Sequence, residues 1–170
     1  KLRGTIVEKQ YAILEQFGKM GLEQSLTCTP YYLHEPRQGS HLAWAESSAV
    51  VYANSVVGAW TNREGGPSAL AAAMIGKTPD HGVHNAESRE PKALVRVEGE
   101  LKTETDFGAL GIHLGRILGE KIPLNEGLGD ASEGELKQLG AALASTGMAN
   151  MFRRTQDSQS KMKGVETIFV

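Results

Sequence analysis

Val7, Tyr11, Leu14 and Phe17 recur at spacings of four, three and three along "TIVEKQYAILEQFGKMG", so an apolar stripe opposite a polar face defines an amphipathic helix. Thr5 and Glu8 are placed as a capping box at its start, and Gly21 is available to end it. "QSLTCTPYY" continues as a short β-prone segment stopped by Pro30, and "LHEPRQGSH" has the composition of a loop. "AESSAVVYANSVVGA" is rich in Ala, Ser and Val; its length favours a buried helix, although periodicity alone leaves a strand open. Next, Gly66 falls at an N-cap, Pro67 at the first helical position and Gly76 just past the end of a further helix.

"ALVRVEGEL" alternates Val95, Val97 and Leu101 with Arg96, Glu98 and Glu100, the pattern of a strand with one wet face. "DFGALGIHLGRILG" starts from Asp106 as a cap and sets Gly111, Gly115 and Gly119 four apart, a stripe for tight helix packing. "SEGELKQLGAALASTG" repeats the capping box with Ser132 and Glu135, puts Leu136, Leu139 and Leu143 on one face and ends at Gly147. "TIFV" closes the chain as another strand, and "RRTQDSQSKMKG" is expected to be a flexible loop. Helices alternating with short apolar strands predict an α/β layered domain, a sheet covered by helices, as one domain over residues 1–170.

Composition narrows the function classes. A net charge of −2 with no basic block beyond Arg153-Arg154 gives no electrostatic footprint for nucleic acid, while a small anionic substrate remains compatible. No apolar run reaches the roughly 18 residues of a membrane span, so no membrane partner is expected. The single Cys28 excludes an internal disulfide framework and points to a reducing compartment, with the cytoplasm as the default. Lys1 in place of Met and the apolar terminus "VETIFV" suggest a piece of something longer.

"WTNREGGPSALAAAM" sets Asn62, Arg63, Glu64 and a Gly-Gly-Pro turn directly before one small-residue helix. A helix begun by Gly65, Gly66 and Pro67 leaves backbone N–H groups at its positive end, with no side chain to block an anion. Arg63 adds a bidentate fork and Asn62 both a donor and an acceptor, so the group can form an anion pocket. The alternative is structural: Asn62 and Arg63 satisfy buried backbone groups at a turn, and Glu64 pairs with Arg63 or favours the helix dipole. Upstream, His41, Glu46, Ser47, Ser48, Asn54 and Ser55 lie among apolar neighbours, either as an internal network or facing a substrate. His81 and His84 carry no zinc pattern, and no nucleophile elbow, P-loop or Gly-x-Gly-x-x-Gly is present.

Taken in order, "LTCTPYYL", "AWAESSAVVYANSVVGA", "TNREGGPSALAAAMIGKTP" and "ELKQLGAALASTG" resemble the large, catalytic part of the aconitase X family, from about Thr5 to Gly147. The family is similar to aconitase and isopropylmalate isomerase, and its members dehydrate mevalonate 5-phosphate or cis-3-hydroxy-L-proline. The "NREGGPSAL" form is more like the former type. The resemblance implies a hydro-lyase with an iron or iron–sulfur centre, in which a base removes a proton while iron assists the departing hydroxyl. It implies Cys28 as a metal ligand, with companion ligands outside this chain. Ser47, Ser48, Asn54, Asn62 and Arg63, with Gly65 and Gly66, would hold the substrate, and the catalytic base is not assigned.

The same resemblance implies a small swivelling subunit or fused domain as partner, and an incomplete site on this chain alone. Cis-3-hydroxy-L-proline dehydratase is the enzymatic alternative, and a non-catalytic anion-binding or interface domain on the same fold is the alternative of another class. Three departures stand out: the family usually has arginine where this chain has Trp60, "HGVHNAESRE" matches only loosely a segment ending in an acidic-Asn-Arg triplet, and "MANMFRRTQDSQSKMKG" is polar where the family is apolar.

Overall fold

A computed structural model describes residues 2–157 and 165–170. Helix α1 (Leu2–Lys19) begins ahead of the expected cap, so Thr5 lies inside it rather than at its start. Gly21, at φ 83°, turns the chain out of the helix, and the Gln24 side-chain amide donates to the Leu14 carbonyl at 2.8 Å. Of the expected apolar stripe Leu14 is buried and Phe17 half-buried, while Val7 and Tyr11 are exposed, so only the second half of the amphipathic face is covered.

The anticipated β-prone segment is not a strand. Thr29 N–H donates to Thr27 Oγ1 at 3.0 Å, a local turn that competes with ladder formation, and Pro30–Tyr32 follow as a single 3-10 turn. The Ala-Ser-Val run is helical: α2 (Ser47–Tyr52) continues into a π turn (Ala53–Val57) that ends at Gly58, φ 76°. Ala49, Val50, Val51 and Ala53 are fully buried. Helix α3 (Gly66–Ile75) starts one residue earlier than expected, with Gly65 at the N-cap, and stops at Gly76 in the left-handed conformation.

Among the described residues four parallel strands form the sheet: β1 (Ala93–Arg96), β2 (Pro123–Glu126), β3 (Arg153–Arg154) and β4 (Glu166–Phe169), in the order β3-β2-β1-β4. Helix α4 (Glu104–Leu118) carries the chain from β1 to β2, and α5 (Glu133–Thr146) from β2 to β3. Both start with complete capping boxes. Ser132 and Glu135 serve α5 as expected; on α4 the cap is Thr103, and Asp106 is the reciprocal half that accepts from the Thr103 N–H at 2.9 Å.

The core lies between β1, α4, α5 and the buried side of α2, with Val95, Phe107, Leu114, Leu139, Leu143 and Val51 at its centre. Gly111 and Gly115 let α4 and α5 approach closely, whereas Gly119 caps α4 with open space around it, so the stripe is two glycines long. Arg153-Arg154, expected in a loop, pair with β2; residues 158–164 of that expected loop lie outside the described residues. No helix among the described residues is long and apolar enough to cross a membrane.

Candidate functional site

A cleft of about 400 Å³ is lined by Thr27, Pro30, Trp44, Glu46, Gly66 and Ala69. Three segments that stood apart in the sequence thus meet: the Cys28 loop, the start of α2 and the start of α3. Cys28, exposed and unpaired, lies between two of the wall residues. Its loop is anchored from below by an aromatic cluster, with Tyr31 packed 4.5 Å from Tyr52 and 6.4 Å from Trp44. The ammonium of Lys137 on α5 sits 4.5–5.1 Å from the rings of Tyr31, Tyr32 and Tyr52 and 2.7 Å from Glu133. Tyr52 donates to Glu133 at 2.8 Å, and burial together with that bond pushes its hydroxyl up to about 12.

The α3 end of the cleft is open to an anion. No side chain caps the helix, and a Cβ added at Gly66 would meet nothing within 4 Å. Neither packing nor φ therefore demands glycine there; its smallness leaves the helix N–H groups accessible. Glu64, which the structural alternative paired with Arg63, instead accepts from Ser68 Oγ at 2.8 Å.

Asn62 and Arg63 do not line this cleft. Asn62 donates to the His81 carbonyl at 3.0 Å and accepts from Val83 N–H at 2.9 Å, stapling the loop after α3. Arg63 Nη2 donates to the Ala149 carbonyl at 2.9 Å, while its buried Nε has no protein partner. Burial holds the Arg63 guanidinium below its usual range, and the negative charge of Glu46 opposes that shift. Ser48 Oγ donates to Glu46 at 3.4 Å, and Ser47 begins α2 beside it.

Asn54 is elsewhere. It is 2 % exposed and its amide makes four bonds: to the Thr61 and Asn150 carbonyls, from Thr61 N–H, and from Arg89 Nη1 at 3.1 Å. The structure so gathers Cys28, Glu46 and Gly66 around one cleft, with Gly65 and Ser47 next to wall residues, and leaves Asn54, Asn62 and Arg63 as staples around it. Arg89, buried, was not singled out by the sequence reading, and His84, also buried, entered it only as half of a rejected zinc pattern. The loose match of "HGVHNAESRE" to a segment ending in arginine was the one available signal.

Trp60 stacks on His41 at 5.6 Å and under the Arg89 guanidinium at 4.3 Å, so the position where the family usually has arginine faces these groups rather than the cleft wall. His41 and His84 share a hydrogen bond between Nδ1 atoms 2.8 Å apart, which requires one N–H and one lone pair. Burial first, then the His41 and Arg89 charges, hold His84 below the usual histidine value, against the pull of Glu64. The folded state therefore binds fewer protons than the unfolded one. Its stabilising contribution is complete above about pH 6.5 and is lost as pH falls through the folded value. Denaturant midpoints measured from pH 8 to 5 should decline, and His84→Gln should flatten the decline; an unchanged slope would remove His84 as its source.

The sequence model of the aconitase X first domain matches residues 1–87, and that of the aconitase X second domain residues 91–162. The chain is 48% identical over 147 residues to the phosphomevalonate dehydratase large subunit of Thermococcus kodakarensis, covering 86% of this chain and 38% of that one. It is 50% identical over 145 residues to the large subunit of the same name from Methanothermobacter thermautotrophicus, covering 85% of this chain and 36% of the relative. Against the cis-3-hydroxy-L-proline dehydratase of Pseudomonas aeruginosa the identity is 35%, over 85% of this chain and 26% of the relative. The crystal structure of Thermococcus kodakaraensis aconitase X in its holo-form superposes with a TM-score of 0.88 at 44% identity, covering 96% of this chain and 44% of that chain. The chain thus spans less than half the length of these relatives.

Proposed function

The chain belongs to the aconitase X family, and from that membership we propose that it is part of the large subunit of a cytoplasmic dehydratase that removes water from mevalonate 5-phosphate. The observation that carries the choice of substrate is the gap in identity: 42–50% to large subunits named phosphomevalonate dehydratase, against 35–37% to cis-3-hydroxy-L-proline dehydratases. A small subunit is the expected partner, in keeping with the names of the first group.

The reaction is an elimination: a proton leaves the carbon beside the carboxylate and hydroxide leaves the neighbouring carbon. The cleft suits one side of that task. The Gly66 N–H at the start of α3 would receive an anionic oxygen of the substrate, and Ser47 and Ser48 would hold it from the start of α2. Asn54, Asn62 and Arg63 would act by fixing the walls.

The fit to a metal centre is partial. No group of three His, Cys, Asp or Glu side chains suited to a metal occurs among the described residues, and an iron–sulfur centre needs several such ligands. Cys28, an exposed thiol at the rim, would be the one ligand it contributes, with the others on the remainder of the subunit.

The test uses the full-length protein with its small partner, reconstituted with iron under anaerobic conditions. Water loss from mevalonate 5-phosphate is the expected result, and Cys28→Ser should lower bound iron per subunit while the fold, read by circular dichroism, stays intact. Turnover of cis-3-hydroxy-L-proline alone would transfer the assignment to that substrate. Bound iron with turnover of neither would sink the dehydratase reading.

A further inference from the structure

A second cavity, of about 350 Å³, shares no wall residue with the Cys28 cleft. Gln38, Asn54, Ser55, Arg89, Arg153 and Arg154 supply its polar lining, and no Asp or Glu belongs to it among the described residues. Arg89 is 5 % exposed. Its guanidinium donates to Asn54 Oδ1 and to the carbonyls of Ala59, Val83 and Asn54 at 2.9–3.2 Å, and one face is covered by Trp60. All four acceptors are neutral oxygens. Buried charges are ordinarily compensated by an opposite charge or a bound ion, and dipoles alone leave most of the desolvation penalty standing.

Other observations deepen the imbalance. Burial, and then the positive charge of Arg153, push Arg89 down to about 10, so the two guanidiniums are close enough to repel. One wall of the cavity is the π turn of Ala53–Val57, a helix irregularity frequent at functional sites. Arg153 on the sheet edge offers a forked donor, the chemistry that recognises phosphate, and Arg89, fixed by its own carbonyl contacts, adds positive charge behind it. The volume falls at the small end of the roughly 300–1,000 Å³ range of metabolite sites.

We propose that this cavity is a binding site for a small phosphate-bearing anion, with Arg153 and Arg89 as its charged wall and Gln38 and Ser55 at its polar edge. The shared chemistry is the phosphate group, whether free or as a phosphomonoester. The proposal goes beyond the dehydratase reading and stands without it, since the two cavities are separate.

The experiment is calorimetric titration of the full-length protein, in its complex and at low ionic strength, with inorganic phosphate, glycerol 3-phosphate and, as a monoanionic control, acetate. Saturable phosphate binding with acetate much weaker is expected, and tighter binding of glycerol 3-phosphate than of phosphate would identify the ligand as a phosphomonoester. Arg153→Gln should weaken binding at least tenfold. Gln38→Glu places a carboxylate opposite the arginines at an exposed position, so it should abolish phosphate binding and raise the melting temperature of the phosphate-free protein. Absence of saturable binding up to about 10 mM, or binding unchanged in both variants, would overturn the site. Dehydratase turnover is read in a separate assay, so failure of either idea leaves the other standing.

Discussion

Replacing Gly111 with alanine is expected to destabilise the protein by about 2–4 kcal/mol, although alanine gains roughly 1 kcal/mol of helix propensity over glycine. The sign follows from what the added methyl would meet. A Cβ at position 111 would lie 2.5 Å from the Leu139 carbonyl oxygen, 2.7 Å from Ala142 Cβ and 3.0 Å from Leu143 N. Two of these are backbone atoms of α5, which cannot swing aside as a side-chain tip can, so the helices must separate and the close-packed seam around Leu139 and Leu143 must loosen. Gly108, three residues earlier on the same helix, would place its Cβ in open space. Gly108→Ala should therefore gain up to about 1 kcal/mol. Urea midpoints of the two variants measured side by side decide the matter, and a Gly111→Ala protein as stable as the parent would refute the tight seam.

Asn54→Leu is expected to cost about 3–5 kcal/mol, summed over the buried donors and acceptors it strands. Leucine fills a similar volume, so cavity formation contributes little, and the loss isolates the polar network. Thr61 N–H, the Thr61 and Asn150 carbonyls and one Arg89 N–H each lose a partner, and Thr61 is fully buried. With folded domains stable by only about 5–15 kcal/mol, a loss of this size is visible as partial unfolding at moderate temperature. Because Asn54 ties α2 to the Trp60–Thr61 segment and to Asn150, the same variant should loosen both cavities together. A change below about 1 kcal/mol in chemical denaturation would show that water replaces the amide without difficulty.

The parts of the fold that the sequence made legible are those set by neighbours a few residues away. Ser132 with Glu135, and Leu136, Leu139 and Leu143 at helical spacing, specify α5 without reference to the rest of the chain. By contrast β2, "PLNE", carries Pro, Asn and Glu in four positions, all poor strand formers; it is a strand because β1 and β3 pair with it on either side. Short parallel strands of this kind are chosen by tertiary pairing, which leaves little period-two signal.

The candidate site divides along the same line. Gly65, Gly66 and Pro67 announce a bare helix start locally, the polar residues at the start of α2 stand out among apolar neighbours, and Cys28 gained its role as a metal ligand through the resemblance to a family. For Asn62 and Arg63 the sequence left both a substrate role and a backbone role open, because arginine and amide side chains can serve either. Only the positions of His81, Val83 and Ala149, each distant in sequence, show which atoms they hold. Arg89 carried no local mark, since its partners come from Asn54, Ala59, Val83 and Trp60.

The strand order also bears on how the chain reaches its fold. Pairing Ala93 with Glu166 closes about 70 residues of chain, against about 30 for Ala93 with Pro123, and because closure entropy grows with the logarithm of length the difference is only roughly 0.8 kcal/mol. Distance along the chain is therefore a minor handicap to β4. Its weakness is contact: four residues pair with a single neighbour, and Phe169 is 58 % exposed. The β1–α4–β2–α5 unit holds most of the buried leucines and forms from near neighbours, so it is the natural nucleus, and β4 docks onto a sheet edge already built.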